Sequence, residues 1–570
     1  VFSVADTVSK ADGGTFDGNI TFAGELITSS SGTSNVRIGD NAGDAIQSGG
    51  NFNILIGDEA GTAITTGDSN IAIGHGAGDA LTTGTNNVAV GHLALSTEDA
   101  NGFNTAVGHE ALKTLNAGAD AHNTAVGYLA GKLVTTGVNN VLMGASAGTA
   151  LTDADNNTAV GYLALTTDTQ GSRSTAIGNQ ALQLQNFTSA TEVYNTAVGF
   201  FAGRIITTGI QNTLIGGLAG DALTDADHNV AVGSEALSTD TQGSKSVAVG
   251  REALRQQNFS SATDSHNTAV GYRAGLLVTT GVQNTIIGSL AGDAMTDADG
   301  NVAVGYAALT TNVLGSDSVA IGKNALNAQN PASATAMLNV AVGKNAGEAI
   351  TTGVQNVIIG AQAGDALTDA DYNVAVGPYA LTSDTQGSKS TALGFGTLVT
   401  QNFSSATDTH NTAVGYNAGT AITTGVRNTI VGSLAADALT DADRNIAIGY
   451  NAIATDTKGN RAVAIGYGAL QSQNFTSSTD NYNVGVGYNS GGSITTGKNN
   501  TLFGALTGDS LSDGEKNTGI GYQALTTDTR GSRSTAIGWN ALATQNFSSA
   551  TDSYNVAVGY SAGSEITTGT

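Results

Sequence analysis

The sequence predicts an all-β fold, a parallel β-solenoid (β-roll) of about thirty coils, each 17 to 21 residues long. Three observations predict it. A five-residue word, roughly [N/S]-[T/V]-[A/L/I]-[V/I]-G, recurs thirty times in 570 residues. Its closing glycines are mostly 17 residues apart, and from Gly127 the steps run 17, 17, 17, 21, giving blocks of 72. The composition suits tight turns: 78 Gly, 2 Pro, no Cys and only 12% charged residues. A unit this short is no globular domain, but it matches one solenoid coil of two short strands and two turns.

Composition also excludes. There is no Gly-X-Y register, so collagen is out, and the regular Ala, Val and Ile positions argue against disorder. The formal charge of −25 makes nucleic acid and anionic membrane poor partners. No stretch approaches the ~20 apolar residues of a membrane span, so no membrane insertion is expected. Val1 opens the chain without an initiator Met or signal-peptide pattern, which reads as a processed form or a segment of a longer chain.

In chain order, residues 1–34 read as an N-terminal connector containing GGTFDGNITFAG, and 35–126 as irregular coils of 17 to 19 residues. Residues 127–570 read as six 72-residue blocks of four coils each plus a partial terminal coil. Within the word, the fourth position is apolar in every copy (Ile38, Val126, Met143, Phe503), and the third is apolar or Gly except at Arg37. Neighbouring strand residues face opposite ways, so both faces of this strand are apolar. One face fills the coil; the other requires a second buried surface, which oligomerisation supplies. The closing Gly is expected where the backbone turns with positive φ or approaches another strand closely. The second half-coil, "AGDALTTG" or "AGTAITTG", reads as a short apolar strand and a turn. The leading Asn (Asn123, Asn195, Asn267) suits an amide ladder between stacked coils.

Every fourth coil carries four extra residues, as in "QNFTSATEVY", with Phe187, Phe259, Phe403, Phe475 and Phe547 in register and Pro331 in the odd block. These loops should recur every ~19 Å, and thirty coils would make a rod of about 140 Å at ~4.8 Å per strand.

"NTAVGYLAGKLVTTGVNN" and "NTGIGYQALTTDTRGSRSTAIGWNAL" resemble the repeats of tailed-phage fibre proteins, and are similar to the shorter "SVAIG" repeats of trimeric autotransporter adhesin heads. The likeness covers about residues 35–570. "SKADGGTFDGNITFAGEL" (residues 9–26) resembles an element common in phage tail fibres, which favours phage. The resemblance implies a homotrimer of left-handed β-rolls with an adhesive or spacer role. The 17-residue coil is longer than the adhesin head coil.

Candidate chemistry is sparse. The turn pairs Asp153/Asp155, Asp225/Asp227, Asp297/Asp299, Asp369/Asp371, Asp441/Asp443 and Asp513/Glu515 supply two carboxylates each, a weak calcium motif beside the plain reading of a solvated turn. His75, His92 and His109 follow successive closing glycines and should stack as an exposed column, with transition-metal binding the lesser alternative. Asp168/Arg173, Asp240/Lys245, Asp384/Lys389, Asp456/Arg461 and Asp528/Arg533 are expected to pair across a turn, and Asn312 with Asp317 loses both partners in the odd block. A catalytic site places unlike groups at one spot, whereas every carboxylate here has copies at block spacing. The chain is therefore read as no enzyme, with no catalytic, cofactor or metal residues.

The function expected is the structural and adhesive shaft of a tailed-phage tail fibre, extracellular on the virion, extending a host-recognition tip. Its partners would be two further copies of itself, other virion tail proteins, and a host receptor or glycan. The alternative is a trimeric adhesin or filament on a bacterial cell surface. A minor alternative is a repetitive ladder for glycan or ice built on "ITTG" threonines, weakened because adjacent strand residues point to opposite faces.

Overall fold

The computed structural model describes residues 30–570. The connector element at residues 13–24 lies outside them, as does most of segment 1–34. The chain forms two compact units, Val1–Asn195 and Thr196–Thr570. Among the described residues each unit is all-β and forms parallel β-solenoid coils of ~17 residues, about 31 turns in all. Among the described residues there is no helix, and so none long and apolar enough to cross a membrane.

Each word forms one three-residue strand. In the first unit these run from Val36–Ile38 to Thr175–Ile177, and in the second from Thr196–Val198 to Val556–Val558. Successive strands pair in parallel without slippage, Val141 against Thr158 and Thr285 against Val302. The middle residue of each three-residue strand points inward and, except for Arg37 in the first, is buried, as at Leu142, Ile286 and Ala303.

The closing glycine meets both expected conditions. Gly288 has φ +134, and a Cβ added there would lie 2.4 Å from the carbonyl oxygen of Gly305 in the next coil. Only glycine lets consecutive coils come so close. The expected amide ladder is present too. The Asn284 backbone N–H donates to Oδ1 of Asn267 (2.9 Å), and its side-chain Nδ2 donates to the Ala298 carbonyl (2.8 Å). Both Asn side chains are buried, and the ladder satisfies the strand ends that water cannot reach.

The second half-coil departs from expectation. It contains no strand but a run of turns, in which alternate residues are left-handed, for example Leu129 (φ 58) and Gly131 (φ 57). Alternating left-handed residues cannot lie in a pleated strand. Bonds between coils persist nonetheless, Gly131 N–H donating to the Ala147 carbonyl at 2.9 Å. In each 21-residue coil a two-residue strand of the extra loop, such as Thr263–Asp264, pairs in parallel with one in the preceding coil, Gly243–Ser244.

Core volume explains why the period is 72 and not 17. In the block opening at Thr196, the interior positions read Ala197, Gly203, Ile206; then Leu214, Gly220, Leu223; then Ala231, Leu237, Asp240; then Ala248, Leu254, Gln257. Where the left-handed position is Gly, a large apolar residue three positions later fills the space. A Cβ on Gly220 would fall 2.8 Å from both Leu214 and Leu223. Where that position is Leu, as at Leu237 and Leu254, the later residue is Asp or Gln. A left-handed leucine costs about 1–2 kcal/mol, which full burial of its side chain, at ~2–3 kcal/mol, offsets.

Candidate functional site

The outward side chains of the strands form the most distinctive surface. Each strand's first and third residues face away from the coil, and they are Val, Ile, Thr, Leu, Met or Phe without a single charge. In the second unit this face runs through Ile215, Ile287, Ile359, Val431 and Phe503, each 37–54% exposed in the chain alone. Beta-branched residues hold it flat, because they pack well on a pleated surface. A continuous uncharged, largely aliphatic face of this kind marks a contact surface.

Aromatic side chains line one margin, just after the closing glycines. In the first unit His75, His92 and His109 stack with centroids 5.4 and 4.9 Å apart, as the sequence predicted, and Tyr128 continues the column. In the second unit Tyr450, Tyr467 and Tyr488 stack at 5.3 and 5.4 Å, and Trp539 lies 4.8 Å from Tyr560. Coil stacking imposes this spacing. The rings turn their faces on one another and present edges outward.

The acid–base expectation is corrected. Asp168, Asp240, Asp384, Asp456 and Asp528 are fully buried and do not meet the bases five residues on. Asp240 accepts bonds from Gly243 N–H (3.0 Å), Gln257 Nε2 (2.6 Å) and Phe259 N–H (3.3 Å). The bases turn outward to acids in the next coil: Arg173 to Glu192 (2.8 Å), Lys245 to Asp264 (2.5 Å), Lys389 to Asp408 (2.5 Å). Lys245 and Lys389 hold those two aspartates below the ordinary carboxylate range through hydrogen bonds. Such exposed pairs contribute little to stability. The odd block now makes sense. Pro331 replaces Phe259 and its N–H, and the buried carboxylate gives way to Asn312, whose Nδ2 donates to the Gly315 carbonyl (2.7 Å). Ala336 likewise stands where Asp264 would be, so Asp317 replaces the base.

In the DAD turns, the second aspartate caps the coil below. Asp155 accepts the Val138 N–H and Asp299 the Val282 N–H, both at 2.8 Å. At Asp153 and Asp225 the first accepts from the preceding threonine hydroxyl, and at Asp297 from the Thr280 hydroxyl one coil back. No group of three or more His, Cys, Asp or Glu is placed to hold a metal among the described residues. A shallow cleft of about 150 Å³ lies over Asp155, Ser172, Arg173 and Glu192 in the first unit, and its charged groups are committed to the bonds just described. The ITTG threonines both face solvent, as at Thr207 and Thr208, because they lie in a bend, as the turn reading expects, where the alternation of a strand does not apply. The Thr207 hydroxyl donates to the Thr224 carbonyl at 3.2 Å.

A carboxylate column was missed in the sequence. Asp221, Asp293 and Asp437 recur at block spacing, and each buries an Oδ1 atom that finds no hydrogen-bond partner within the chain. Burial pushes all three above the ordinary carboxylate value. At Asp365 and Asp509, threonine hydroxyls of the next coil supply the bond, whereas Asp437 faces Ala454. A carboxyl with a raised folded pKa costs stability once pH climbs past its unfolded value, and the full cost is reached above the folded one. Asp437→Asn is therefore expected to raise stability at pH 7 by a few tenths of a kcal/mol, discounted for partial exposure, and to change nothing near pH 3. Urea melts at the two pH values read this directly.

No family model matches the chain, and no curated protein matches it significantly.

Proposed function

We propose that the chain is the shaft of a homotrimeric fibre, a non-enzymatic structural and adhesive element of a tailed-phage tail. The observation that carries the reading is the uncharged, exposed sheet face, continued coil after coil by the strict repeat. Burying such a face among copies contributes ~25 cal/mol per Å² of apolar surface, and parallel copies do so at every level of the stack. The repeats such as "NTAVGYLAGKLVTTG" resemble those of tailed-phage fibres and of adhesin heads alike, and the resemblance of residues 9–26 to a tail-fibre element favours the phage setting over a bacterial cell surface. The role is mechanical, holding a recognition tip away from the particle. Repetition also allows weak host contacts to add along the fibre.

Charges on the face test the assembly. Ile287→Glu with Ile359→Glu is expected to leave the β signal of circular dichroism in place while the sedimenting species falls to a single chain. Retained assembly would remove the sheet face from the account. Immunogold labelling of the native source with antibody to the 72-residue block tests the setting. Label along fibres of virion tails is expected; label on filaments rooted in a cell envelope would replace the phage reading with the adhesin.

A further inference from the structure

The two margins of the sheet face in the second unit differ in chemistry. One is formed by the residue before each strand's leading Asn or Ser, the other by the residue after its closing glycine. Across the 21-residue coils the first margin reads Lys245, Asp317, Lys389, Arg461, Arg533, and the second reads Arg251, Lys323, Phe395, Tyr467, Trp539. One coil further on, the second margin reads Tyr272, Lys344, Tyr416, Tyr488, Tyr560. In one block alone the base at the first margin becomes an acid, and in that block alone both positions at the second margin become lysine. Arg251, the nearest analogue, is bound at 2.7 Å to its own neighbour Glu252.

Asp317, Lys323 and Lys344 are all exposed. Strand Val319–Ile321, with its flanking Ser318 and Gly322, separates Asp317 from Lys323. The strand that precedes Lys344, Val340–Val342, pairs residue for residue with it, so the two lysines sit one coil apart on the same margin. No ion pair within the chain engages these three residues among those described. Ala336 has removed the acid that pairs with the base in neighbouring blocks, and Lys323 lies 5.9 Å from the Tyr306 ring centroid instead.

We propose that Asp317 of one copy pairs with Lys323 and Lys344 of the next, fixing the axial register of a parallel assembly. The inference rests on the sheet face being buried between copies. If copies run parallel and are related by rotation about a common axis, the first margin of each copy meets the second margin of its neighbour. Asp317 then faces the two lysines at or near its own level. In an antiparallel pair like margins meet, which sets lysine against lysine. The uncharged face discriminates little among registers shifted by whole coils, since Val, Ile and Thr recur at nearly every level. One acid opposite two bases, in a single block, can, because a shifted register leaves all three uncompensated.

The test uses the full chain and zero-length carbodiimide cross-linking of an equal mixture of ¹⁴N- and ¹⁵N-labelled copies, with peptides read by mass spectrometry. Mixed-isotope Asp317–Lys323 or Asp317–Lys344 links are expected. Asp317→Lys, a residue this position carries at Lys245 and Lys389, should weaken assembly at least tenfold by sedimentation. Lys323→Asp with Lys344→Asp should do the same, and the triple variant should restore assembly. Intact assembly with neither mixed-isotope link nor any effect of the swaps would overturn the register while leaving the buried face standing. A chain that sediments as a monomer, with its β signal intact, would overturn both.

Discussion

Gly288→Ala is expected to destabilise its part of the solenoid by about 4 kcal/mol or more, among the largest effects of any single substitution. The added Cβ would sit 2.4 Å from the Gly305 oxygen and 2.7 Å from its carbonyl carbon. These are backbone atoms, so no rotamer change relieves the clash, and φ +134 is a conformation that alanine resists. Relief requires the coils to separate, breaking the ladder bonds at that level, Thr285 N–H to the Asn301 carbonyl at 2.8 Å and Gly305 N–H to the Ile287 carbonyl at 2.7 Å. In a solenoid each coil contacts only its neighbours, so the damage stays local. Hydrogen exchange should show lost protection around residues 284–321 and native protection several coils away. Gly217→Ala is the control. A Cβ there meets nothing within 4 Å, and stability should hold within ~0.5 kcal/mol.

Asp240→Ala should cost about 3–5 kcal/mol. It leaves the Gly243 and Phe259 N–H groups and one Gln257 N–H buried without an acceptor, and each orphaned donor costs ~1–3 kcal/mol less whatever relaxation recovers. The loss extends along the network, because Gln257 also donates to the Ser246 hydroxyl (2.8 Å) and accepts from Asn267 Nδ2 (2.9 Å). Urea unfolding compared with Lys245→Ala separates this from the exposed base. The lysine variant should lie within ~1 kcal/mol of the parent, as surface ion pairs do. Equal losses in the two would return Asp240 to the exposed pair that its spacing suggested.

That contrast marks where the sequence was legible. The Gly288 and Asn284 columns were readable because stacking demands the same backbone shape in every coil, and identity at fixed pitch records that demand. The outer apolar face was readable from Val, Ile and Thr alternating with interior Ala. Asp240 was misread because proximity in sequence, five residues to Lys245, stood in for proximity in space. In a coil, the neighbour is 17 to 21 residues away. The corrective signal was present: Asp168, Asp240, Asp384, Asp456 and Asp528 are each followed 17 residues later by a Gln, and Asn312 appears only with Pro331. The second half-coil was misread for another reason. Apolar residues at Leu129, Ala130 and Val134 suggest a strand, yet left-handed leucines such as Leu163 and Leu165 (φ 56 and 50) turn the backbone at alternate residues. Composition carries no trace of that, since leucine rarely adopts this conformation. The column at Asp221, Asp293 and Asp437 was hidden because its burial depends on the side chains above and below it.

A homotrimeric fibre requires the uncharged face to be buried between parallel copies. Sedimentation equilibrium of the purified full chain at micromolar concentration tests it most directly. The account predicts a species of three times the chain mass that survives dilution and moderate salt. A single-chain mass with full β circular dichroism would contradict it, leaving a solenoid whose apolar face must serve some other partner.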